Sequence, residues 1–552
     1  MSKTSGSAIL TESLKAVGVD TIFFLRGGPM GDVAEYCVDL GIKLIDVRDE
    51  RAASMMAHAY ARVTGRPGVC MTGAGPDTTN ITTGISNASA DCCPVIALCG
   101  SASPRSHAMH SFQEVNQFGI MNSIAKRAWR VPTAENIPAF VSRAFRHALA
   151  GSPGPVYLEF PANILNAIDE IEVKDPAVPP LRHRPMGDRG LISEAIEILS
   201  RAERPIILSG NGILWSEASA ELQEFVNTTK IPFYTTPLSR GVIPEDHPLC
   251  FPGARSAAWS EADAVLVVGT RASFIVSHLQ PPRFSAQAKI IEVNIDAEEI
   301  GHNRPVDVGI LGDAKAVLKQ LTEQASSEFT DRPELPWVER LRKLNKEREA
   351  KVLPLLNSTQ KPIHPLRLCK EIRDFLPRNA ILVVDGQVVL NFARQSIPTY
   401  YPGHRLNTGP AGCIGVGVPY GVGAKVAKPE APVMVFTGDG GFGFHAMEMD
   451  TAVRHNIPLV VVVGNNGGWN STQNPYRPER DRPGRYLGFT RYDKLVETLG
   501  GHGEFVEEPE DIRGALERAF ACGKPALVNV IIDATITATT QVFAVDTRPW
   551  EI

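Results

Sequence analysis

Residues 433–468 read VMVFTGDGGFGFHAMEMDTAVRHNIPLVVVVGNNGG. The apolar runs at 433–436 and 459–463 predict buried parallel strands, and 446–455 between them predicts a helix. A strand–helix–strand unit brings both strand ends to one edge of a parallel sheet, which is the edge where such sheets bind ligands. The stretch therefore predicts an α/β fold with a ligand site at that edge.

Two polar side chains mark the ends of those strands. Asp439 follows the first strand inside Gly-Asp-Gly, and Asn466 follows the second strand, 27 residues later. A carboxylate, an amide oxygen and a nearby backbone carbonyl are hard oxygen donors suited to octahedral Mg²⁺ that holds phosphate groups. Either motif alone also fits an ordinary strand–helix turn, so the prediction of a metal–diphosphate site depends on the spacing and the context.

Length and composition limit the classes of protein to which the chain can belong. Its 552 residues, 43% hydrophobic and 21% charged with 47 glycines, predict about three α/β domains. A net charge of −5 gives no electrostatic reason to expect a nucleic-acid or membrane partner. The nine cysteines lack metal-ligand spacing, which favours reduced cysteines in a cytoplasmic protein.

Two proline-rich, charged stretches predict linkers between domains. The first covers 173–189, and in the second, 345–365, a charged helix is expected to break down into LPLLNSTQKPIHP. The blocks around them predict three doubly wound domains with mainly parallel sheets at 1–175, 190–340 and 363–535, followed by a tail at 536–552. The predicted strands are 21–24, 43–47, 68–71, 94–99, 156–159, 205–208, 264–268, 289–293, 380–384, 433–436, 459–463 and 526–531.

A glycine-rich turn, Gly210-Asn211-Gly212, follows the predicted strand 205–208. Its position fits a phosphate-binding loop at a topological switch point. A lone Gly-x-Gly fits a purely structural turn equally well, so both interpretations stay open.

Three features of the first block follow predicted strands and are expected to border one crevice. Glu50 opens a helix predicted at 52–63, and by itself it can simply favour the helix N-terminus. The stretch 72–80, TGAGPDTTN, predicts a tight turn that exposes hydroxyls and an amide. The third feature is 111–114, SFQE, after the strand 94–99.

The paired GDG and NN motifs resemble the motif by which enzymes bind thiamin diphosphate (ThDP). This resemblance implies that Asp439 and Asn466 bind Mg²⁺ through their side chains and that Gly468 binds it through its backbone carbonyl. The sequences VRDERAASMMAHAYARVTGRPGV (47–69) and MTGAGPDTTNITTGISNASADCCPVIALCGS (71–101) look like the pyrimidine-binding domain of the acetolactate synthase and 2-hydroxyacyl-CoA lyase superfamily. The resemblance covers roughly 8–535 and is most similar to the 2-hydroxyacyl-CoA lyases.

The resemblance also implies roles for residues that contact the cofactor. Glu50 would hydrogen-bond N1′ of the aminopyrimidine and so favour the imino tautomer that removes the C2 proton. Ile414 would support the bent cofactor, and the carbonyl of Gly412 would accept a hydrogen bond from its 4′-amino group. Without the other motifs, the same GCIGVG segment would fit a glycine-rich helix that packs on a neighbour. The other implied cofactor-binding residues are Asn80, Gln387, Val388, Gly438, Gly440 and Gly441.

Phe112 and Gln113 resemble the substrate-side loop of the same enzymes, with Gln113 placed to hydrogen-bond the oxygen of the intermediate. The stretch 269–274 lacks the Arg-Phe-Asp-Asp pattern linked to FAD in acetolactate synthases. The favoured activity is a ThDP- and Mg²⁺-dependent carbon–carbon lyase or ligase of the 2-hydroxyacyl-CoA lyase type. The alternative is an FAD-independent carboligase or decarboxylase, similar to acetolactate synthase or benzaldehyde lyase, that acts on a 2-oxo acid or an acyloin. Departures from the family pattern at 26–32 and Asp49 leave the substrate open.

The partners implied are a small-molecule substrate, with acyl-CoA as one candidate, and further copies of the chain. The family arrangement implies a homodimer or homotetramer with its sites at the subunit interface. The arginine-rich stretch 469–486 predicts either a solvated loop or a lid over an anionic substrate, and His107 and His110 fit either surface or proton-transfer roles. A non-catalytic ThDP-binding protein would be expected to lack Glu50, and an NAD-binding protein would need a GxGxxG fingerprint that this chain lacks.

Overall fold

A computed structural model describes residues 3–106, 108–173, 175–329, 332–469 and 483–536. Three parallel sheets organise these residues, with one sheet in each predicted block. The predicted α/β class with doubly wound, mainly parallel sheets is therefore confirmed. His107, residues 470–482 of the arginine-rich stretch and residues 537–552 of the tail lie outside the described residues.

The N-terminal part of the chain carries the first sheet and one two-stranded antiparallel ribbon. Its elements are β1 (Thr4–Ser5), α1 (Gly6–Ala16), β2 (Thr21–Phe24), α2 (Gly31–Asp39), β3 (Lys43–Asp46), α3 (Glu50–Thr64), β4 (Gly68–Thr72), α4 (Pro76–Asn80), α5 (Thr82–Ala90), β5 (Val95–Ser101), α6 (Gln117–Ile124), β6 (Arg127–Arg130), α7 (Ile137–Leu149), β7 (Val156–Pro161), α8 (Ala162–Asn166) and β8 (Ile168–Asp169). The sheet order is β3-β2-β4-β5-β7-β6, so its topological switch point lies between β2 and β4.

The central part carries a five-stranded sheet. Its elements are α9 (Arg189–Arg201), β9 (Pro205–Ser209), α10 (Gly212–Trp215), α11 (Ser219–Thr229), β10 (Phe233–Thr235), α12 (Arg255–Glu261), β11 (Ala264–Val268), β12 (Lys289–Asn294), β13 (Val308–Leu311), α13 (Ala314–Phe329) and α14 (Pro336–Leu356). The order β10-β9-β11-β12-β13 places the switch point between β9 and β11.

The C-terminal part carries the sheet that contains the GDG and NN motifs. Its elements are α15 (Pro365–Phe375), β14 (Ile381–Val384), α16 (Gln387–Ser396), β15 (Arg405–Asn407), α17 (Gly417–Ala427), β16 (Val433–Gly438), α18 (Asp439–Phe444), α19 (Glu448–Arg454), β17 (Val460–Asn465), α20 (Tyr492–Thr498), β18 (His502–Val506), α21 (Ile512–Ala521) and β19 (Ala526–Ile531). The order β15-β14-β16-β17-β19-β18 places the switch point between β14 and β16.

One apolar core joins the first and third sheets. Helices α3 and α17 pack against each other, and a Cβ atom on Gly423 would come within 2.4 Å of the Met56 carbonyl oxygen. A buried polar network crosses the same contact, because the Tyr420 hydroxyl lies 2.9 Å from Nδ1 of His58. Burial on both sides explains why α3 is inaccessible along nearly its whole length.

One sequence prediction of a helix end is wrong. The helix expected to break down at LPLL continues as α14 to Leu356, because Leu356 is buried in the core of the third sheet and Pro354 falls only in the last turn. The helix predicted at 446–455 is confirmed as α19, which begins two residues later and ends one residue earlier, and the separate α18 precedes it.

Candidate functional site

The ends of β16 and β17 bring together the oxygen atoms that the sequence predicts for a metal site. Asp439 is buried, and its Oδ2 atom has no hydrogen-bond partner among the described residues. One terminal amide atom of Asn466 lies 3.1 Å from Oδ1 of Asp439 and 2.9 Å from the carbonyl oxygen of Gly468. Neighbouring ligands of octahedral Mg²⁺ are about 3 Å apart, because each Mg–O bond is about 2.1 Å. The two separations from Asn466 therefore match the distance between neighbouring ligands of an octahedron.

The orientation of the Asn466 amide depends on what lies between these groups. With its nitrogen in this position, the amide donates to Asp439 and Gly468, whereas with its oxygen there three oxygens converge and a cation stabilises them. Burial raises the pKa of Asp439 to about 6, so its ionised form gains from a neighbouring cation. The adjacent Asn465 has a structural role, because it donates to the Thr490 carbonyl. The residues present thus fit Mg²⁺.

The residues predicted to contact the diphosphate lie at the same sheet edge. The turn after β14 touches the turn after β16, since a Cβ atom on Gly386 would lie 3.1 Å from the Gly438 nitrogen. Gln387 begins α16 and is exposed, and Val388 is half-buried. Gly440 and Gly441 open the first turn of α18 beside Asp439.

A buried carboxylate that the sequence analysis did not single out holds the loop predicted to support the cofactor. Oδ2 of Asp385 accepts hydrogen bonds from the amides of Gly415 and Gly417, each at 3.0 Å. Burial raises the pKa of Asp385 to about 6. The half-buried Ile414 and the exposed Gly412 lie in this loop. The sequence signal that could have pointed to Asp385 is its position as a polar residue directly after a buried strand.

His445 holds the other side of the same loop. Its Nδ1 lies 2.7 Å from the Gly415 carbonyl oxygen, so Nδ1 carries the hydrogen and donates it. Its Nε2 is buried and has no hydrogen-bond partner among the described residues, and burial lowers the pKa of His445. Gly415 has a φ of +93°, and a Cβ atom there would lie 2.6 Å from Cβ of Phe444. No sequence signal pointed to His445.

On the N-terminal sheet, two predicted cofactor residues are in contact. Glu50 is the first residue of α3 and is 7% exposed. The Asn80 amide donates to its Oε2 at 2.9 Å. Asp49, which departs from the family pattern, accepts from the Arg51 amide at 2.8 Å and so caps the helix that presents Glu50.

The substrate-side loop packs against the same crevice. Gln113 has a φ of +58°, and its amide lies 3.5 Å from Oδ1 of Asp77. Phe112 is 89% exposed, and His110 is exposed too. Gln117, at the end of this loop, accepts a hydrogen bond from the Gly75 amide at 2.7 Å and so connects the loop with the turn after β4. Gln113 therefore reaches the crevice, while Phe112 points away from the described residues.

Within the described part of the chain, no hydrogen bond joins Glu50 to Asp439, Asn466 or Gly468. The N-terminal and C-terminal parts meet through the apolar contact of α3 with α17 and through Glu448, which accepts from the Arg48 amide at 3.1 Å. The metal residues and Glu50 are thus each positioned, but by separate domains.

The Gly210-Asn211-Gly212 turn lies at the switch point of the central sheet. A Cβ atom on Gly210 would come within 2.2 Å of Thr270, and one on Gly212 within 2.7 Å of Gly269. These glycines are required by contact with the turn after β11. Asn211 nevertheless lines a large cavity at this switch point.

Three family models match the chain in the order of its three sheets. They are the N-terminal TPP binding domain (residues 4–120), the central domain (192–321) and the C-terminal TPP binding domain (386–530) of thiamine pyrophosphate enzymes. The chain belongs to the thiamine pyrophosphate enzyme family. Membership in this family supports an enzyme whose cofactor is thiamin diphosphate, the other name of thiamine pyrophosphate.

Similar proteins differ in their named activities. A probable acetolactate synthase of Mycobacterium bovis is 35% identical, covering 96% of both chains. 2-Hydroxyacyl-CoA lyase 1 of Mus musculus is 32% identical over 98% of this chain and 96% of its own. Oxalyl-CoA decarboxylase of Escherichia coli K12 is 32% identical over 96% and 95%. The resemblance to this superfamily is confirmed, and these relatives of the thiamine pyrophosphate enzyme do not share one named activity. None of the described helices is long and apolar enough to cross a membrane.

Proposed function

We propose that this thiamine pyrophosphate enzyme is a Mg²⁺-dependent carbon–carbon lyase or ligase that acts on a 2-hydroxyacyl-CoA. The observation that favours a CoA ester is an arginine-rich cavity of about 630 Å³ at the switch point of the central sheet. This volume lies within the range of ligand pockets, about 300–1,000 Å³. Residues from all three parts of the chain line the cavity, among them Asp91, Asn211 and Arg394.

Several arginines cluster around Arg394, which is one of the residues that line this cavity. Arg394 lines the cavity, and Arg255, Arg240 and Arg405 lie behind it. Burial and the neighbouring guanidinium groups lower the pKa values of Arg394 and Arg255, each to about 10. Among the described residues, the one carboxylate paired with these four arginines is Glu245, which binds Arg240. An excess of largely buried positive charge favours a polyanion such as the phosphates of CoA.

Helix α16 connects this cavity with the candidate cofactor site. It begins at Gln387, beside the predicted diphosphate turn, and Arg394 lies in its last turn. Seven residues of helix span about 10 Å, a distance that the pantetheine arm of a CoA ester can cover. A CoA nucleotide held at Arg394 would therefore leave its acyl group within reach of the cofactor.

The predicted residues take the following roles in this proposal. Bound thiamin diphosphate supplies a carbon nucleophile and an electron sink beside the substrate carbonyl. Glu50 holds the proton at N1′ of its pyrimidine, and Asn80 orients the Glu50 carboxylate. Asp439, Asn466 and Gly468 hold Mg²⁺ and with it the diphosphate, with Gln387, Val388, Gly438, Gly440 and Gly441 around it. Ile414 and Gly412 orient the pyrimidine, and Gln113 binds the oxygen of the substrate.

We also propose that a complete site requires two copies of the chain, in a homodimer or homotetramer. Two observations support this arrangement. Described hydrogen bonds do not connect Glu50 with the metal residues of its own chain, and Phe112, next to the substrate-binding Gln113, is 89% exposed. The nine free cysteines also fit the expected cytoplasmic location.

A second candidate is an acetolactate-synthase-like carboligase that uses pyruvate without FAD. The 35% identity to a probable acetolactate synthase favours it. The two candidates differ in whether the arginine-rich cavity contributes to turnover, because pyruvate has no polyphosphate to place there.

Purified enzyme with ThDP and Mg²⁺ should be incubated with a 2-hydroxyacyl-CoA and, separately, with pyruvate. We expect formyl-CoA and an aldehyde from the first substrate, detected by mass spectrometry. Arg394→Gln should raise KM for the CoA ester about 10–100-fold, since a hydrogen bond to a charged group contributes about 1.5–3 kcal/mol. Arg201→Gln, which removes a guanidinium from an exposed helical ion pair, is the matched control. Pyruvate turnover without cleavage of the CoA ester would favour the second candidate.

A further inference from the structure

Asp77 lies at the topological switch point of the N-terminal sheet, between the ends of β2 and β4. Its Oδ2 is packed between two glycines: a Cβ atom on Gly27 would lie 2.2 Å from it, and one on Gly73 would lie 2.3 Å from it. Its Oδ1 lies 3.5 Å from the Gln113 amide nitrogen. Asp77 therefore contacts the turns that follow β2, β4 and β5, at the position where doubly wound sheets bind ligands.

The loops around Asp77 are closely connected and carry backbone strain. The Ala74 amide donates to the Gly28 carbonyl at 3.1 Å, which joins the first two loops. A Cβ atom on Gly75 would come within 2.3 Å of the Gln113 carbonyl oxygen, so the second and third loops are in contact. Gln113 itself holds a left-handed φ of +58°, and such strain in non-glycine residues concentrates at functional sites.

The charged and titratable groups that face Asp77 are few. Glu50 on α3 acts on it through its charge, and Cys99 on β5 is buried, with its pKa raised to about 12. Burial, and then the charge of Glu50, raise the pKa of Asp77. Gln113 and the two glycines are neutral. A half-buried carboxyl group that is not paired with a cation among the described residues is able to hold a proton and to release it.

We propose that Asp77 is a second acid–base residue of the active site, which exchanges a proton with the substrate oxygen that Gln113 binds. This inference rests on the proposed function. In cleavage, the Asp77 carboxylate takes the proton from the substrate hydroxyl group. The electron pair of that O–H bond forms the second bond of the new carbonyl, and the electron pair of the broken carbon–carbon bond passes to the fragment held by the cofactor. In ligation, Asp77 returns the proton as the carbonyl becomes a hydroxyl group.

Asp77→Asn tests this role, because asparagine keeps the shape and an acceptor oxygen but cannot exchange a proton. We expect the affinity for ThDP with Mg²⁺, measured by calorimetry, and the deuterium exchange at C2 of bound ThDP, measured by NMR, to stay within about threefold of wild type. Turnover of the 2-hydroxyacyl-CoA, or of pyruvate if that is what wild type consumes, should fall about 10²–10⁴-fold. The pH profile of kcat/KM should lose one limb. Asp39→Asn, an exposed aspartate on α2 of the same domain, is the control.

Chemical rescue separates proton transfer from packing. In Asp77→Ala, added formate should restore turnover in proportion to its concentration, because a free carboxylic acid can occupy the space and carry the proton. Turnover of Asp77→Asn within threefold of wild type, an unchanged pH profile, or an Asp77→Ala variant that formate does not restore overturns the role of Asp77 and leaves the proposed function standing. A wild-type protein that exchanges the C2 proton but consumes neither substrate overturns the proposed function, and the role of Asp77 with it.

Discussion

The contact between Glu50 and Asn80 joins two residues that the sequence analysis assigned to the cofactor site. Glu50 is buried at the start of α3, and its observed hydrogen-bond donor is the amide of Asn80. Both residues follow strands of the same parallel sheet, so their meeting could be predicted from the sequence pattern. The contact between Asp77 and Gln113 could not, because it depends on a left-handed residue in an irregular loop.

Glu50→Gln should bind ThDP and still fail to activate it. Glutamine has nearly the same shape and keeps a partner for Asn80, but it does not hold the N1′ proton in the way that a carboxylate does. We expect C2 deuterium exchange and kcat to fall about 10²–10⁴-fold, with a ThDP affinity close to that of wild type. NMR exchange and calorimetry measure the two quantities. Glu35→Gln, on an exposed ion pair with Arg26, should behave like wild type, and unchanged exchange in Glu50→Gln would contradict the assigned role.

Asp439→Ala should abolish Mg²⁺-dependent binding of ThDP. The variant loses the one carboxylate among the three candidate ligands, and its Oδ2 is the buried atom without another partner among the described residues. We expect calorimetry to show binding weakened at least about 100-fold, since a ligand carboxylate carries most of the charge that holds the ion. Asp450→Ala, in the following helix, serves as a comparison. Equal heats of binding with and without Mg²⁺ in wild type would remove the basis for the metal site.

At the scale of elements, strands in sheet interiors were predictable and most edge strands were not. All twelve predicted strands occur, with bounds that shift by at most two residues at either end. The missed strands of the three large sheets, β6, β10, β13, β15 and β18, are all sheet edges. Edge strands are short and often mix polar with apolar residues, as in RAWR of β6, so they lack the continuous apolar run of a central strand. The predicted domain boundaries stay predictions, because no continuous apolar run in the sequence marks a boundary.

Asp385 holds the loop after β15 in place through hydrogen bonds to the backbone of the loop. Three backbone amides donate to this buried carboxylate, from Gly386, Gly415 and Gly417. Asparagine offers one acceptor oxygen, so Asp385→Asn leaves at least one amide without its partner, at a cost of about 1–3 kcal/mol. We expect ThDP affinity to fall about 10–100-fold by calorimetry. Thermal stability without cofactor should change much less, because the neutral amide avoids the burial cost that raises the pKa of Asp385 to about 6.

The matched control for that loop is Asp374→Asn, because Asp374 forms exposed ion pairs with Lys370 and Arg373 at the end of α15. If Asp385→Asn and Asp374→Asn bind ThDP equally well, Asp385 does not order the loop that carries Ile414.

At the scale of the whole molecule, Glu448 connects the N-terminal and C-terminal parts and makes that contact sensitive to pH. Burial raises the pKa of this acid from 4.5 to about 7, with a smaller contribution from Asp49. The folded protein therefore binds the proton more tightly than the unfolded chain, so stability is highest below about pH 4.5 for this group and is lost as pH rises through 7. The full difference is at most about 3 kcal/mol. Glu448→Gln should flatten the dependence of the thermal midpoint on pH between 5 and 8, whereas Glu323→Gln, an exposed change, should not.

Two inactive variants can show whether the active site is shared between subunits. In a mixed dimer of Glu50→Gln with Asp439→Ala, a shared site combines Glu50 of the second chain with Asp439 of the first, which restores one of the two sites. Random exchange of subunits makes about half of the dimers mixed, so about a quarter of wild-type activity should return in the mixture and about half in the purified mixed dimers. A site built within one chain leaves every site with one defect and restores nothing. The two variants, each with its own tag, should be refolded together, and the mixed dimers should be purified through both tags. A mixture of the two variants that were folded separately is the comparison. Activity confined to the mixed dimers is the expected result, because the proposed site combines Glu50 and Asp439 of different chains.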